Sequence, residues 1–510
     1  MVLMFKRLLV SSFFLSSLVF LGFTCLLIGC SKPASHATSF KHSPIKFAIV
    51  QAPLNLDPRY ATDAASERVN RLIYRSLIDF DKAAKPKPDL ASWVEVSPTH
   101  YRFTLYQQPR SIFHDNSPLT AQDVVATYQS FSQLKDSPHS AEFANISGIE
   151  ALNDNVVDFY LAQPDTNFVA KLIIGILPNA LIKSNHDFAH QPVGSGPLKF
   201  VSWKNKLQLQ RIADQQDFIL SEVKDPTVRV LKLMRGEADL LQGDLPPELV
   251  KYMQKQSGIT VQSSIGANFS YIGFNMRDPV LSKQAVREAI AHAVDRQAII
   301  QQAMLAGSRA AGAILPPEHW AGNPNLMPYD YNPKLARELL QQAGIKLPLK
   351  LVYKTSTDAQ RVRLATMMQS QMREAGIELE IRSLDWGTFF SDIKQGSFQL
   401  YGLTWVGIKT PEIYEKALGS QSIPPLGANR GRFQDKDLDD LLMVAEHSQQ
   451  AGDWQTVTAY IHHALPYVPL WYEGQFNAIR TDGIKTLDNN ELQPDGNWDS
   501  LKTIKVNNAH

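Results

Sequence analysis

Both cysteines of this 510-residue chain, Cys25 and Cys30, lie within its first 30 residues. Residues 31–510 therefore contain no thiol, which excludes an intramolecular disulfide, a cysteine-based zinc site and a cysteine nucleophile from the body of the protein. A chain without such covalent links must be stabilised by its hydrophobic core. Since 44% of the residues are hydrophobic, the composition is that of a globular protein, and the length suffices for two lobes.

The N-terminal segment has the pattern of an export signal. Two basic residues, Lys6 and Arg7, precede an apolar stretch that ends in the tetrapeptide Leu27-Ile28-Gly29-Cys30. This tetrapeptide resembles the lipobox of bacterial lipoprotein precursors. The resemblance implies that residues 1–29 are a signal peptide and that Cys30 carries the lipid. An uncleaved membrane anchor is the alternative, because the apolar stretch is just long enough to span a bilayer.

Small polar residues follow the predicted lipidation site. We expect residues 30–44 to be the lipidated N-terminus and a flexible tether. Several acyl chains would make the anchoring stable, because one chain alone binds a membrane only marginally. By resemblance to Gram-negative lipoproteins, Ser31 permits transfer to the outer membrane, which leaves both membranes of a bacterial envelope open.

Charge and motif content argue against nucleic-acid binding and against catalysis. Lys and Arg number 51 and Asp and Glu 50, so there is no excess of positive charge for a nucleic acid. The segment Gly194-Ser195-Gly196-Pro197 lacks the spacing of a nucleophile elbow. The adjacent His462 and His463 would diverge on a helix. We therefore predict that the protein is not an enzyme and has no catalytic residue, metal site or cofactor.

Hydrophobic periodicity predicts alternating helices and strands. Apolar residues on one stripe predict a helix from Ser66 to Leu77, and Thr120 with Asp123 forms a capping box at the start of another. Two units of helix, glycine and strand follow one another in residues 332–382. The predicted strands are 45–50, 100–105, 348–353 and 378–382. This alternation indicates an α/β fold.

Several segments, taken in chain order, resemble family 5 of the extracytoplasmic solute-binding proteins, which serve peptide-type and nickel-type ABC transporters. They are residues 101–105 (YRFTL), 113–124 (FHDNSPLTAQDV), 192–198 (PVGSGPL), 236–240 (GEADL), 271–275 (YIGFN), 286–290 (VREAI), 293–296 (AVDR), 336–340 (ARELL) and 343–344 (AG). Asn116 stands where the family has glycine. We expect most of these residues to hold the fold: Gly194 and Gly196 in tight backbone geometry, and Arg287 and Asp295 as fold-holding polar groups.

The resemblance implies a two-lobed periplasmic-binding-protein fold of the class II type, with an extra subdomain in lobe I and a hinge between the lobes. Two crossings, near residues 271–275 and 471–472, would allow hinge closure on a ligand. The implied boundaries are 45–61 plus 165–265 plus 475–510 for lobe I, 62–164 for its subdomain and 266–474 for lobe II.

The same resemblance points to a ligand site in lobe II. Many peptide-binding members place an aspartate three residues after a tryptophan of lobe II, where it pairs with the peptide ammonium. Here Trp405 matches the tryptophan, but the corresponding position holds Ile408. Either Glu412 or Glu415 replaces the aspartate, or the ligand lacks a free α-amine. An apolar residue at this position costs roughly tenfold to a hundredfold in affinity for an ammonium.

A second segment of the implied ligand site is the loop that contains Asn429 and Arg430. In the family, the asparagine-containing part of this loop lies near the cleft. Arg430 or Arg432 could bind a carboxylate or phosphate through two parallel hydrogen bonds. The alternative is that an arginine braces the loop against Asp435 or Asp437. Trp405 could likewise stack on ligand or pack in the core.

The leading hypothesis is a substrate-binding lipoprotein that captures peptides or peptide-like solutes and delivers them to an ABC permease with cytoplasmic ATPases. We expect a monomer that is attached to the membrane through Cys30, with no nucleic-acid partner. One alternative keeps the fold and changes the solute to a nickel chelate, haem, a sugar or a lipid-derived compound. Another is an envelope sensor without transport. An envelope hydrolase is disfavoured by the lack of a catalytic constellation.

Overall fold

The computed structural model describes residues 43–107, 111–134, 136–243, 245–425, 427–482, 484–485 and 497–506. The predicted signal peptide and Cys30 lie outside these residues, as does almost all of the predicted tether. None of the described helices is long and apolar enough to cross a membrane.

Strands and helices alternate along the described chain, as the periodicity predicts. The strands are β1 (Ile45–Ile49), β2 (Ile78–Phe80), β3 (Pro86–Pro88), β4 (Ala91–Ser97), β5 (His100–Leu105), β6 (Ile146–Asn153), β7 (Val156–Leu161), β8 (Leu198–Trp203), β9 (Leu207–Arg211), β10 (Asp217–Glu222), β11 (Leu240–Gln242), β12 (Ile259–Phe274), β13 (Arg309–Ala310), β14 (Leu349–Ser356), β15 (Ile377–Leu384), β16 (Leu400–Trp405), β17 (Tyr467–Arg480), β18 (Ile484–Lys485) and β19 (Lys505–Val506).

The α-helices are mostly short and capped by polar side chains. They are α1 (Ala64–Ile73), α2 (Ala121–Ser130), α3 (Phe168–Lys171), α4 (Asn179–Lys183), α5 (Pro226–Met234), α6 (Pro247–Met253), α7 (Gln284–His292), α8 (Arg296–Ala303), α9 (Pro333–Gln342), α10 (Ala359–Glu374), α11 (Trp386–Gln395), α12 (Ile413–Leu418), α13 (Lys436–Ser448) and α14 (Ala451–Ala464). Two 3₁₀ turns lie at Ser140–Phe143 and Asp499–Lys502.

One large mixed sheet runs through most of the described chain. Its strand order is β15-β14-β16-β12-β17-β11-β1-β10-β9-β8, and β13 pairs with β17 off this path. The two long strands β12 and β17 are antiparallel and lie in the middle. Strands from residues 349–405 extend the sheet on one side of this pair, and strands from residues 45–242 extend it on the other. The pair therefore connects two halves of the sheet.

A separate four-stranded antiparallel sheet has the order β4-β5-β7-β6. Its inward side chains alternate along β5, where Tyr101, Phe103 and Leu105 are buried. They pack with apolar residues of α2 and α3 into one cluster, whose buried members lie between Leu77 and Ile176.

The rest of the core falls into four further clusters. Two consist of buried residues between Phe269 and Tyr472. The other two combine residues 45–74 with residues 177–253 and 476–504. Helix α1 contributes Val69, Leu72 and Ile73 to one of these, and not to the cluster under the four-stranded sheet.

The predicted strands are confirmed to within a few residues, whereas the first helix ends before its predicted limit. Helix α1 stops at Ile73, four residues before Leu77, because Tyr74 takes an extended conformation. Its buried hydroxyl donates to the carbonyl of Leu56 at 3.1 Å. This long-range contact, which the apolar stripe does not reveal, fixes Tyr74 outside the helix.

Several predicted local signals are confirmed by their hydrogen bonds. The backbone N–H and the hydroxyl of Thr120 both donate to Oδ2 of Asp123 at 2.8 Å. Asp295 caps α8 by accepting from the N–H of Ala298 at 2.9 Å. The guanidinium of Arg287 donates to four backbone carbonyls, which makes it a buried fold-holding group.

The glycines of the 192–198 segment are required by a close backbone approach. A β-carbon at Gly194 would lie 2.1 Å from the carbonyl oxygen of Ile73, and one at Gly196 would lie 2.4 Å from that of Leu72. These two positions seat the segment on the end of α1, so a larger residue would force the backbones apart.

Candidate functional site

Strand β16 ends at the residue that the sequence singles out, Trp405. It pairs antiparallel with β12, and Trp405 lies opposite Phe269. Beyond the strand, Val406 is 58% exposed and Gly407 has a φ of +70°, which turns the chain away from the sheet. Trp405 is partly buried and therefore marks the boundary between the core and the open side of the sheet.

The guanidinium of Arg430 lies over two aromatic rings. Its Cζ atom is 4.5 Å from the ring centroid of Trp405 and 5.3 Å from that of Phe390. Its Nη1 donates to the hydroxyl of Tyr271 at 3.3 Å. Cation–π contacts at such distances are worth about 0.5–2 kcal/mol each. Three side chains from β12, α11 and β16 thus hold one positive charge in place.

Asn429 and Arg432 fix the loop that carries Arg430. Asn429 is fully buried, and its Nδ2 donates to three carbonyls at 2.7–3.1 Å while its Oδ1 accepts from the N–H of Phe433. Arg432 has a φ of +60° and donates to the carbonyl of Arg430 at 2.6 Å and to that of Lys394 at 2.8 Å. The side chains of Asn429 and Arg432 therefore stabilise the backbone conformation of the loop that carries Arg430.

Helix α11 continues the aromatic surface beyond Arg430. Trp386 and Phe390 stack with their centroids 5.5 Å apart and their planes at 11°, and Trp386 is 59% exposed. Sequence reasoning missed these two residues. Their spacing of four places them on one face of a helix, and that spacing was the available signal.

A cavity of about 520 Å³ opens immediately after Trp405. It is lined by Gly407, Ile408, Lys409, Thr410, Glu412, Ile413, Glu415, Lys416, Ser422, Gly427 and Glu446. The loop after Ile408 turns so that Glu412 and Glu415 share its walls. Glu446 joins them from α13, a contribution that no local sequence pattern indicated.

The three carboxyl groups of this cavity resist ionisation. Burial, together with the nearby charges of Glu415 and Glu412, raises the pKa of Glu446 to about 7. Burial also raises the pKa of Glu412 and that of Glu415 above their usual range. The opposing influence of the Lys171 ammonium is weaker than burial at Glu412. Ionisation of these carboxyl groups therefore costs free energy, and a bound cationic group would offset that cost.

Residues around α3 contact two of the residues that line this cavity, Glu412 and Glu446. The ammonium of Lys171 lies 2.7 Å from Oδ2 of Asp165 and 3.5 Å from Oε1 of Glu412. The hydroxyl of Thr166 donates to the carbonyl of Glu446 at 2.9 Å. The cavity wall thus receives contacts from the four-stranded-sheet region, which is distant in sequence.

The central strand pair is irregular at two places. The register of β12 against β17 shifts between Ser264 and Asn268, and again between Ser270 and Tyr271. The second shift lies at one edge of the predicted 271–275 crossing, and the first lies several residues earlier. Interrupted pairing of this kind bends and twists the strands locally.

Glu473 is the charged centre of this irregular region. Its carboxylate accepts from the hydroxyl of Ser270 at 2.6 Å and from both terminal nitrogens of Arg361. Burial opposes ionisation of Glu473, but the charge and hydrogen bonds of Arg361 outweigh it and hold the pKa below its usual range.

The structure brings some of the predicted site residues together and separates others. Trp405 and Arg430 are in contact, and Ile408 lines the adjoining cavity. Asn429 lies behind Arg430 in the core, so contact with a solute stays a prediction for this residue. Among the described residues, no group of three or more His, Cys, Asp or Glu side chains could hold a metal ion.

Known proteins resemble this chain over nearly its whole length. The family model described as "Bacterial extracellular solute-binding proteins, family 5 Middle" matches residues 85–417, which is more than half of the chain. The dipeptide-binding protein of Escherichia coli is 22% identical, with 88% of this chain and 92% of that protein covered. Heme-binding protein A of Haemophilus influenzae is 23% identical, with 88% and 92% covered.

A solved structure confirms the fold. The ABC transporter-associated periplasmic binding protein DppA from Helicobacter pylori, in complex with the peptide STSA, superposes with a TM-score of 0.72. The two are 24% identical, and the match covers 91% of this chain and 98% of that one. The mixed α/β architecture predicted from the sequence is therefore the periplasmic-binding-protein fold.

Proposed function

Because this chain belongs to family 5 of the bacterial extracellular solute-binding proteins, we propose that it captures peptides or peptide-like solutes and delivers them to an ABC permease. The observation that carries this proposal is the arrangement at the end of β16. The guanidinium of Arg430 is held over the ring of Trp405, and residues that follow Trp405 line a cavity with three carboxyl groups. Such a site offers separate places to the two charged ends of a zwitterion.

The lobe boundaries inferred from the sequence form part of the proposal. The core clusters support lobe II at 266–474, since two clusters consist of residues between Phe269 and Tyr472. The two register shifts in the central strand pair support hinge motion there. We propose that closure depends on residues 165–171, which contact Glu412 and Glu446 of the cavity wall.

The position of the carboxyl groups favours a ligand that carries an ammonium. Glu412 is paired with Lys171, which leaves Glu415 and Glu446 as the carboxyl groups of the cavity without an ion pair among the described residues. They would compensate for Ile408, which stands where peptide-binding relatives have an aspartate. A ligand without a free α-amine stays the alternative.

A different solute is the second candidate. The curated relative from Haemophilus influenzae is called a heme-binding protein, and it matches this chain as well as the dipeptide-binding protein does. The exposed stack of Trp386 on Phe390 suits a flat conjugated ligand. The carboxyl-lined cavity favours the peptide instead, because the ionised groups of haem are themselves carboxylates.

The N-terminal segment supplies the proposed location. We propose that residues 1–29 direct export and that lipid on Cys30 holds the protein at a membrane of the bacterial envelope. Delivery to an inner-membrane permease is simplest from the inner membrane. Ser31 favours the outer membrane instead, because this residue permits transfer to it.

Mass spectrometry of the solute that copurifies with the native lipoprotein tests the proposal. We expect peptides, and we expect a synthetic pool of di- to pentapeptides to raise the melting temperature of the delipidated protein. Copurified haem and no shift with peptides would establish the second candidate. Labelling with radioactive palmitate, lost in a Cys30→Ser variant, tests the lipid anchor separately.

A further inference from the structure

We infer that Arg430 is an anion-recognition residue and that the solute presents a carboxylate group to it. This inference rests on the proposed function and specifies the chemistry of its ligand. It begins from the charge of Arg430. Within the part of the chain that the structure describes, no carboxylate lies within ion-pair distance of its guanidinium, and its one side-chain hydrogen bond goes to Tyr271.

Four other arginines of the described chain form ion pairs or donate to backbone carbonyls. Arg59 is paired with Asp57 at 2.7 Å, and Arg361 is paired with Glu473. Arg287 donates to backbone carbonyls. Arg432, two residues from Arg430, also donates to backbone carbonyls. Each of these arrangements stabilises the fold, and Arg430 lacks such an arrangement in the described chain.

The surroundings of Arg430 keep its charge fixed but do not neutralise it. The rings of Trp405 and Phe390 restrict the side chain, and the Arg432 guanidinium anchors the Arg430 carbonyl. Lys394 adds a second positive charge, since its Nζ is 5.4 Å from the ring centroid of Phe390. A guanidinium with free N–H groups and a fixed plane matches the two oxygens of a carboxylate. Because the Arg430 side chain is already ordered, ligand binding costs little further side-chain entropy.

Two parts of a peptide could supply this carboxylate: its C-terminus or an acidic side chain. The test therefore uses di- to pentaalanine in three forms, namely the free acid, the C-terminal amide, and the amide with one glutamate. Isothermal titration calorimetry gives the dissociation constant of each. Hydrogen bonds between charged groups predict that wild-type protein binds the free acid about 10- to 100-fold more tightly than the amide. If an acidic side chain is the source, the glutamate-containing amide binds with the affinity of the free acid.

The same titrations with Arg430→Met should give an acid-to-amide ratio close to one. Arg430→Lys retains the charge without the planar donors, so it should retain an intermediate ratio and serves if the Met variant fails to fold. Lys394→Met removes the neighbouring exposed charge and should change the ratio by less than about threefold, because exposed charges are screened.

The outcomes separate a failure of the Arg430 inference from a failure of the proposed peptide function. A wild-type ratio near one for both the free acid and the glutamate-containing amide overturns the inference and leaves peptide binding intact. A preference for either carboxylate that survives in folded Arg430→Met also overturns it. If no peptide of any form binds, the proposed peptide function fails, and the inference fails with it.

Discussion

The ammonium of Lys171 lies 3.5 Å from Oε1 of Glu412, and this ion pair joins helix α3 to the wall of the cavity beside Trp405. Lys171 reaches Asp165 at the same time, at 2.7 Å. The side chains of Lys171 and Glu412 are 25% and 36% exposed, so water weakens their attraction. The ion pair therefore contributes weakly to holding together two regions that are far apart in the sequence.

A double-mutant cycle measures the coupling free energy between Lys171 and Glu412. Lys171→Met and Glu412→Gln, singly and together, should reveal a coupling of about 0.5–1 kcal/mol in the free energy of unfolding, because partly exposed ion pairs contribute at this level. The coupling should decrease in 0.5 M NaCl through screening. Urea denaturation monitored by circular dichroism gives the four free energies. Additive effects of the two substitutions would show that the two groups do not interact.

The contribution of Glu446 to the stability of the protein should fall as the pH rises from about 5 through 7. Glu446 has its pKa raised to about 7 by burial and by Glu415 and Glu412, while His447 and Lys171 act in the opposite direction. A carboxyl group with a raised pKa binds a proton more tightly in the folded state, so its ionisation destabilises the fold above the ordinary carboxyl range.

Glu446→Gln should therefore stabilise the protein by about 1 kcal/mol at pH 8, a value reduced for partial exposure, and should have little effect at pH 5. Melting curves between pH 5 and pH 8 measure the difference. Glu338→Gln, on an exposed position of α9, is the matched control and should leave the pH profile unchanged. A profile of Glu446→Gln that parallels wild type would contradict the assignment.

Loss of the Glu473 carboxylate should destabilise the strand junction. Glu473→Gln weakens the interactions with Arg361 and Ser270, so we expect a loss of about 1–3 kcal/mol in the free energy of unfolding. Because the folded pKa of Glu473 is lowered, this contribution is present above the ordinary carboxyl pKa and disappears as the pH falls through the folded value.

The control for Glu473 is Glu318→Gln. Glu318 pairs with Arg309, but its side chain is 58% exposed, so the substitution should cost no more than about 1 kcal/mol. Chemical denaturation at pH 7 and pH 4 compares the two. Equal costs at pH 7 would mean that the hydrogen bonds around Glu473 add nothing to the stability.

Asn429→Ala should destabilise the loop that carries Arg430. The substitution leaves the carbonyls of Leu418, Gly419 and Phe433 without the amide donor, and buried groups without partners cost about 1–3 kcal/mol each. We expect a loss of at least about 2 kcal/mol in urea denaturation. Gln421→Ala, at an exposed position of the same loop, should cost less than about 0.5 kcal/mol. A stable Asn429→Ala protein with weakened solute binding would indicate direct contact with the ligand instead.

Local signals in the sequence predicted the scaffold well. The capping box at Thr120 and Asp123, the units of helix, glycine and strand in residues 332–382, and the strand at 100–105 each depend on residues close together in sequence. The end of α1 was missed because Tyr74 bonds to Leu56, whose position depends on the fold.

The candidate site was predicted in part. The resemblance to family 5 drew attention to Trp405, Ile408 and Arg430, and two of these are in contact. It did not indicate Phe390 or Glu446, because these residues reach the site from α11 and α13. Their relevance follows from the packing of separate helices against β16 and its loop.

The sequence by itself determined that the chain is an α/β protein of family 5 with no thiol after residue 30, and it predicted a lipidated Cys30. Only the tertiary structure decided that Arg430 rests on Trp405 and Phe390 and that Glu446 shares a cavity with Glu412. The physical reason is the separation in sequence of the residues that interact. Helix caps, turns and strand alternation arise between near neighbours, whereas charge pairing, burial and the resulting pKa values depend on residues that folding brings together.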